Sequence, residues 1–336
     1  MRIQEGMIDM ASTIQDVARM AKVNPSTVSR VLNEKGPITQ ETKERVYKAM
    51  KELDYYPNSR ARSLVSGLSY SIGVVLDAQD ADSFSNYFFS RSLFGIEKVA
   101  QAHGYSVLIA NSPNGKGKTI ESLIKEKKVD GMIIPPSLMK PSLMKILVNF
   151  PYVLLGQPDD MPANSCWVDN NNEQGAILAV QTLIGYGYKR IAFFGGKESL
   201  GFSRRRVKGY TEALKDQAPI IIQEDTGSLT EKALEALRRE NRPDAFVCND
   251  NLAANEILNA ARKLNLKVPE QVGIIAFDNY PLAEFTSPKL TVIDIDTALL
   301  GEESAELLFK RIENPGNNQQ ILLAAQLIER ESASGR

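Results

Sequence analysis

The chain has 336 residues, 43% hydrophobic and 24% charged, which is enough apolar material for two or three domains with a sizeable core. Two cysteines (Cys166, Cys248) and one histidine (His103) rule out a disulfide framework and a zinc site built from the usual ligands. The net charge of −1 hides an asymmetry: residues 1–70 hold 11 Lys/Arg against 8 Asp/Glu, a net of +3, so the remainder carries −4. A mildly basic head on an acidic body suits nucleic acid touched at one end.

Residues 1–11 show no periodic pattern and no leader-type apolar core, and they read as a disordered lead, or as residues ahead of a true start at Met7 or Met10. No apolar run is long enough to span a membrane, so a soluble cytoplasmic protein is expected. Thr13 then caps a first helix. A second opens at Asn24-Pro25, because Asn is a good N-cap and Pro is favoured at the first helical position. Val28, Val31 and Leu32 predict its inner face; Ser26, Thr27, Ser29, Arg30 and Asn33 are left outward. Two short helices joined by about four residues suit a helix-turn-helix entering a major groove, although any helical hairpin shares the pattern. Thr39 caps a third helix, Gln40–Leu53, with Val46, Ala49, Met50 and Leu53 on its apolar side. The segment Ser59–Gly67 is helix-compatible and Arg-bearing, but a helix so short is unstable alone in water. It orders against a partner chain or DNA, and otherwise behaves as a linker.

From Ser71 the grammar changes. Strands 72–76, 106–110, 131–134 and 152–155 alternate with helices 88–103, 118–127 and 141–149. Helices 172–186, 202–217, 230–240 and 252–264 then alternate with strands 190–194, 220–222, 245–248 and 272–276. A strand at 290–295, a helix at 297–313 and an extended tail at 321–330 close the chain. Such alternation predicts right-handed βαβ units and parallel sheets covered on both faces. Two sets predict two sub-domains, with a ligand where the strand C-termini face a common cleft.

Several motifs lead nowhere. Lys116-Gly117-Lys118-Thr119 lacks the glycine a P-loop needs at position 112, which is Ser112. Gly195-Gly196 lacks dinucleotide-fingerprint spacing and reads as a tight turn. His103 ends a helix, where a donating side chain is structurally useful. With no second histidine and no activated cysteine, no catalytic constellation forms, and neither an enzyme nor a cofactor is expected.

Taken in order, Thr13-Ile14-Gln15-Asp16-Val17-Ala18, Ser26-Thr27-Val28-Ser29-Arg30-Val31-Leu32-Asn33, Tyr56-Pro57-Asn58 and Ala61-Arg62-Ser63-Leu64 resemble the lactose/galactose repressor family. So do Phe94-Gly95-Ile96, Asp130-Gly131-Met132-Ile133, Arg206-x-x-Gly209-Tyr210, Asn249-Asp250, Phe277-Asp278-Asn279 and Arg330-Glu331-Ser332. The resemblance runs from Thr13 to Ser332. It implies an all-α three-helix helix-turn-helix head plus hinge helix, joined to an α/β body of two parallel-sheet sub-domains of the periplasmic-binding-protein-like kind. The implied limits are 12–57 for the DNA-binding domain, 58–69 for the hinge and linker, and 70–336 for effector binding and dimerisation. Within the body, residues 70–168 with 297–325 form one sub-domain and 169–296 with 326–336 the other.

The resemblance also implies partners and residues. A homodimer would place two recognition helices, Pro25–Asn33, in successive major grooves of a pseudo-palindromic operator. Ser26 and Arg30 fall on base-contacting positions, with Arg suited to guanine; Pro25 falls on one too, but it has no polar side chain and could instead only shape the helix start. Thr13, Asn24, Thr27, Ser29 and Asn33 would position the frame on phosphates, and Ile14, Asn58 and Ala61 join this DNA-binding set. Leu64 falls on the hinge leucine that wedges into the minor groove. Arg206 and Asp278 fall on effector-binding positions, and Asn249 could add an amide; Asp278 and Asn249 could instead cap loops. Asp77, Phe84, Gln157 and Trp167 complete the effector set, the last three in predicted loops near strand ends, where Trp167 stacks on a sugar or belongs to the core. The segments Leu155–Pro158 and Trp167–Asn171 look most like the maltose-responsive branch. The implied function is a repressor of carbohydrate-utilisation genes released by a small sugar. A purine- or co-repressor-dependent regulator, or a sugar-binding protein not acting on DNA, remains open. No heptad extension follows Ser332, so a dimer is expected rather than a tetramer.

Overall fold

The structure, a computed structural model, describes residues 12–32, 36–55, 66–77, 87–112, 118–160, 165–224 and 227–334. The chain divides into two compact units, Met1–Ser69 and Tyr70–Arg336.

In the first unit, α1 (Ile14–Ala21), α2 (Pro25–Leu32) and α3 (Gln40–Glu52) enclose a small core. Val17, Ala18, Ala21, Val28, Val31, Val46 and Ala49 are buried in it, with Leu32, Met50 and Leu53 packed around them. Thr13 and Asp16 close a capping box on α1: the Asp16 amide donates to Thr13 Oγ1 at 3.4 Å, and the Thr13 amide to the Asp16 carboxylate at 3.0 Å. The Thr13 hydroxyl, which donates to the same carboxylate at 2.6 Å, and after it the Thr13 amide hold the Asp16 carboxyl below its ordinary range. Thr39 occupies the N-cap position of α3, but its hydroxyl pairs with Thr42 Oγ1 at 2.9 Å and makes no backbone cap bond. The expected side-chain cap is therefore absent there. Asn33, residues 56–65 with Asn58, Ala61 and Leu64, and Phe84 in the body all lie outside the described residues.

The second unit is built on two six-stranded sheets of one topology. The first sheet contains β1 (Ser71–Leu76), β2 (Ser106–Asn111), β3 (Gly131–Ile134), β4 (Tyr152–Leu155), β5 (Trp167–Asn170) and β11 (Gln320–Leu323), in the order β11-β5-β4-β3-β1-β2. The second contains β6 (Ile191–Phe194), β7 (Ile220–Ile222), β8 (Ala245–Cys248), β9 (Gly273–Phe277), β10 (Thr291–Asp294) and β12 (Gln326–Ile328), in the order β12-β10-β9-β8-β6-β7. All pairings are parallel except β10 with β12. Central strands such as Ile191–Phe194 and Gly273–Phe277 are buried throughout, which is why they read as unbroken apolar runs.

The connecting helices are α4 (Tyr87–Ala102), α5 (Lys118–Lys125), α6 (Pro141–Ile146), α7 (Asn172–Gly185), α8 (Gly201–Leu214), α9 (Leu229–Arg238), α10 (Asn251–Lys263), α11 (Leu282–Phe285) and α12 (Thr297–Glu313). The chain passes between the sheets at Asn170–Asn172, at Asp294–Thr297 and at Ala324–Ala325.

One expectation needs correcting. Trp167 does not sit in a loop: it opens β5, is 6% exposed, and belongs to the core cluster of Leu138, Leu143, Leu147 and Leu154. Trp-Val-Asp-Asn mixes apolar and polar residues and so does not read as a strand. It becomes one because Asp169, although buried, has its carboxylate satisfied by the amides of Gln157 (2.9 Å) and Asn170 (2.8 Å). The tail at 321–330 is extended as expected, and it forms two strands, one given to each sheet.

Candidate functional site

On α2 the apolar face turns inward. Val28 and Val31 are fully buried, whereas Asn24, Pro25, Ser26 and Arg30 are exposed and Thr27 and Ser29 half-buried. Thr13 is exposed and Ile14 half-buried at the start of α1. Burial alone therefore sorts the helix into a packing side and a polar side that begins at the helix N-terminus, the geometry by which such helices reach base edges.

In the second unit the polar cluster gathers at the C-terminal ends of β6, β8 and β9, where open parallel sheets place their ligands. Arg206 reaches it from α8. The helix can approach α7 because residue 209 is glycine: a Cβ there would run into the Glu173 backbone carbonyl. An ion pair between Lys208 Nζ and Glu173 Oε2 at 2.9 Å fastens the two helices on their outer side.

Arg206 is 3% exposed, and each of its three guanidinium nitrogens has a partner. Its Nε donates to Asn172 Oδ1 at 2.9 Å, Nη1 donates to the Asn249 carbonyl, and Nη2 donates to Asp278 Oδ1 at 3.5 Å. The Phe277 ring lies against it, 4.0 Å from Cζ to centroid, with Phe202 at 5.0 Å. Asp278 adopts a φ of 73°, an uncommon conformation for a residue with a side chain, fixed by its amide bond to the Ile293 carbonyl (3.0 Å) and by Asn251 Nδ2 on its own carbonyl (2.7 Å). Burial raises the Asp278 carboxyl to about 6, against the pull of Arg206 and with help from the neighbouring Asp250. Burial likewise raises Asp169.

Around this pair several buried polar atoms have no hydrogen-bond partner: Asn170 Oδ1, Asn249 Oδ1, Asn251 Oδ1 and Ser203 Oγ. Three are pure acceptors and the fourth is a hydroxyl. The floor therefore asks for donors, which a polyhydroxyl ligand brings and a phosphate does not. At the mouth, Asp159 in the loop after β4 pairs with Arg205 at 2.9 Å and with Arg204, and Arg205 also donates to the Pro158 carbonyl at 3.0 Å. This ties the first sheet's loop to the second sheet's helix.

Of the expected effector residues, Arg206, Asn249 and Asp278 are brought together. The cap of α10 is Asp250, whose carboxylate accepts from the Ala253 amide at 2.8 Å, so Asn249 is not the cap. Asp77 stands at the C-terminal end of β1, accepting from Ser137 Oγ at 3.4 Å. Gln157 is half-buried and reaches the cluster through its backbone, by way of Asp169. Trp167 begins its strand at the opposite end from the cluster, inside the core. Missing from the expected set were Asn172, Ser203 and Phe202. The triple Asn170-Asn171-Asn172 after an apolar run was the available signal for the first; nothing local marked the other two. Among the described residues no cluster could hold a metal ion, and no helix is long and apolar enough to cross a membrane.

Residues 13–58 match the bacterial regulatory proteins of the lacI family, and residues 180–333 match the periplasmic binding protein-like domain. Over 343 residues the chain is 36% identical to the HTH-type transcriptional regulator MalR of Streptococcus pneumoniae serotype 4, covering 96% of this chain and 100% of that one. Its structure is similar to the lac repressor dimer bound to operator and the anti-inducer ONPF, with a TM-score of 0.79, 25% identity and coverage of 96% and 99%. It is also similar to the complex of the transcriptional regulator CelR with cellobiose, with a TM-score of 0.70, 27% identity and coverage of 96% and 100%.

Proposed function

The chain belongs to the lacI family of bacterial regulatory proteins, and from that premise we propose that it is a cytoplasmic, homodimeric repressor of carbohydrate-utilisation genes, acting by binding and not by catalysis. Residues 12–57 hold the operator, with Ser26 and Arg30 on base edges and Thr13, Asn24, Thr27 and Ser29 on phosphates. Residues 58–69 form the hinge, with Leu64 as its wedge. Residues 70–336 bind a neutral sugar, with Arg206, Asp278 and Asn249 at its centre. The observation that carries the effector class is the floor around Arg206, where the side-chain oxygens of Asn170, Asn249 and Asn251 are buried acceptors without a donor. The similarity to MalR makes maltose or a maltodextrin the first sugar to test.

Sugar binding loosens the grip on DNA, and operator DNA weakens sugar binding by the same factor, because linkage is reciprocal. The test is a fluorescence-anisotropy titration of a pseudo-palindromic operator at fixed salt, without and with maltose, cellobiose, glucose 6-phosphate and a purine base. Release by a neutral sugar, and not by the phosphate or the purine, is the expected result. Tightening by the purine would reverse the sign of regulation and replace the reading.

A further inference from the structure

The loop after β4 grips the start of α8 through one carboxylate. Asp159 accepts from Arg205 Nη2 at 2.9 Å and from Arg204 Nη2, and Arg205 Nη2 also donates to the Pro158 carbonyl at 3.0 Å. The carboxylate lies against the first turn of the helix, where a negative charge is favoured: a Cβ at Gly201 would come within 3.1 and 3.2 Å of its two oxygens, so glycine leaves it room. The root of the loop is fixed as well, because the buried Asp169 carboxylate accepts from the Gln157 amide at 2.9 Å. β4 belongs to the first sheet and α8 connects strands of the second, so this is a non-covalent tie between the sub-domains. It is unevenly exposed: the Arg205 side chain is 11% exposed, Arg204 40% and Asp159 45%. Arg204, Arg205 and Arg206 follow one another in the chain, and Asp278 answers the third. Without Asp159, the first two guanidiniums lose the carboxylate that brings them together.

We propose that Asp159 is a positioning residue: with Arg204 and Arg205 it latches the two sub-domains in the arrangement that holds the sugar, without touching the sugar. The inference rests on the sugar-cleft reading and adds to it the group that stabilises the bound arrangement. Arg206, Asn249 and Asp278 stand on the second sheet's side, whereas Gln157 and Asp159 arrive from the first. A ligand held between the two sides needs them kept together, so free energy that the latch contributes to that arrangement appears in the ligand's affinity. This gives a signature that direct contacts lack. A neutral sugar brings no charge, and the Arg206–Asp278 pair is buried, so salt screens the centre of the site little. The latch is made of full charges and is partly exposed, so salt weakens it. Binding of an uncharged ligand should therefore depend on ionic strength, and should do so through Asp159.

The test is calorimetric titration of the full-length protein with maltose and cellobiose at about 0.1 M and about 1 M potassium chloride, over which the screening length falls from about 10 Å to about 3 Å. At the lower salt, Asp159→Asn should bind the sugar about threefold to tenfold more weakly than wild type, and the two proteins should converge at the higher. Arg204→Gln combined with Arg205→Gln should reproduce that loss, and adding Asp159→Asn to the pair should cost nothing further, the mark of a shared interaction. Equal affinity of wild type and Asp159→Asn at both salts overturns the latch and leaves the sugar cleft standing. Tighter binding by Asp159→Asn overturns it too, since the tie would then oppose the bound arrangement. A loss of one size at both salts, with a lowered unfolding midpoint, assigns Asp159 to folding and also overturns the proposal. A wild type that binds neither sugar overturns the sugar reading and the latch with it.

Discussion

Arg30 on α2 and Arg206 on α8 both follow a serine by a few residues, yet they stand in opposite environments. Arg30 is exposed. Arg206 is 3% exposed, with three hydrogen-bonded partners and an aromatic ring on its face. Among the described residues nothing pairs with the first arginine, which faces outward. The second is part of the architecture of its site, and its charge is tolerated only because Asp278, Asn172 and the Asn249 carbonyl surround it. A site that reads an external surface keeps its side chains out of the core. A site that encloses a small molecule is itself a piece of core, so binding and stability share the same atoms.

The largest expected effect breaks that sharing. Arg206→Ala removes one partner of a buried ion pair and strands the Asp278 carboxylate, at a cost of about 3–5 kcal/mol. A urea unfolding curve should show a clear drop in the midpoint for the body, and sugar binding should vanish. Operator affinity per folded dimer should survive. If Arg206→Ala left the midpoint within error, the pair would be decoration on a core that stands without it, and the contrast with Arg30 would fail.

How much of this was readable beforehand follows the same division. The apolar runs Ile191–Phe194 and Gly131–Ile134 announce buried parallel strands because burial on both faces leaves no alternation to confuse them. Val28 and Val31 against Ser26 and Arg30 sort α2 without any tertiary knowledge. Arg206 and Asp278 were reachable through their motif. Asn172 was not, since its importance comes from the approach of α8 to α7 that Gly209 permits, a packing contact that no local pattern announces. Trp167 was misplaced for a related reason: β5 is recognisable only once Asp169 has found the Gln157 and Asn170 amides.

The next effect in size concerns Asp278, whose carboxyl is raised from 3.8 to about 6 chiefly by burial. Between those values the folded chain binds a proton that the unfolded chain has released. Stability contributed at this residue is therefore fully present below 3.8 and declines as pH rises through the folded value, after which it is flat. In Asp278→Asn that slope should disappear, so the midpoint difference between wild type and variant should change between pH 4 and 6 and then hold constant. The variant should also bind sugar more weakly at neutral pH, because an amide replaces a carboxylate acceptor. A parallel pH profile for the two proteins would show that Asp278 stays ionised throughout, and the buried site would then be better solvated than its geometry indicates.

The smallest effect on the chain itself is expected at Arg30, and it sharpens the comparison from the other side. Arg30→Ala removes an exposed side chain, so the unfolding midpoint of the unbound protein should move by no more than about 0.5 kcal/mol. Operator binding should weaken by about 1–3 kcal/mol if Arg30 makes bidentate contact with a guanine, and the loss should be concentrated at one base pair of each half-site. The salt dependence separates this from a phosphate contact, which would weaken all sequences alike and lower the slope of log affinity against log salt by about one. A uniform loss with a reduced slope would therefore move Arg30 from reading bases to positioning the frame, and leave Ser26 as the base-reading residue on α2. Either way the sugar affinity of the unbound chain should stay at its wild-type value.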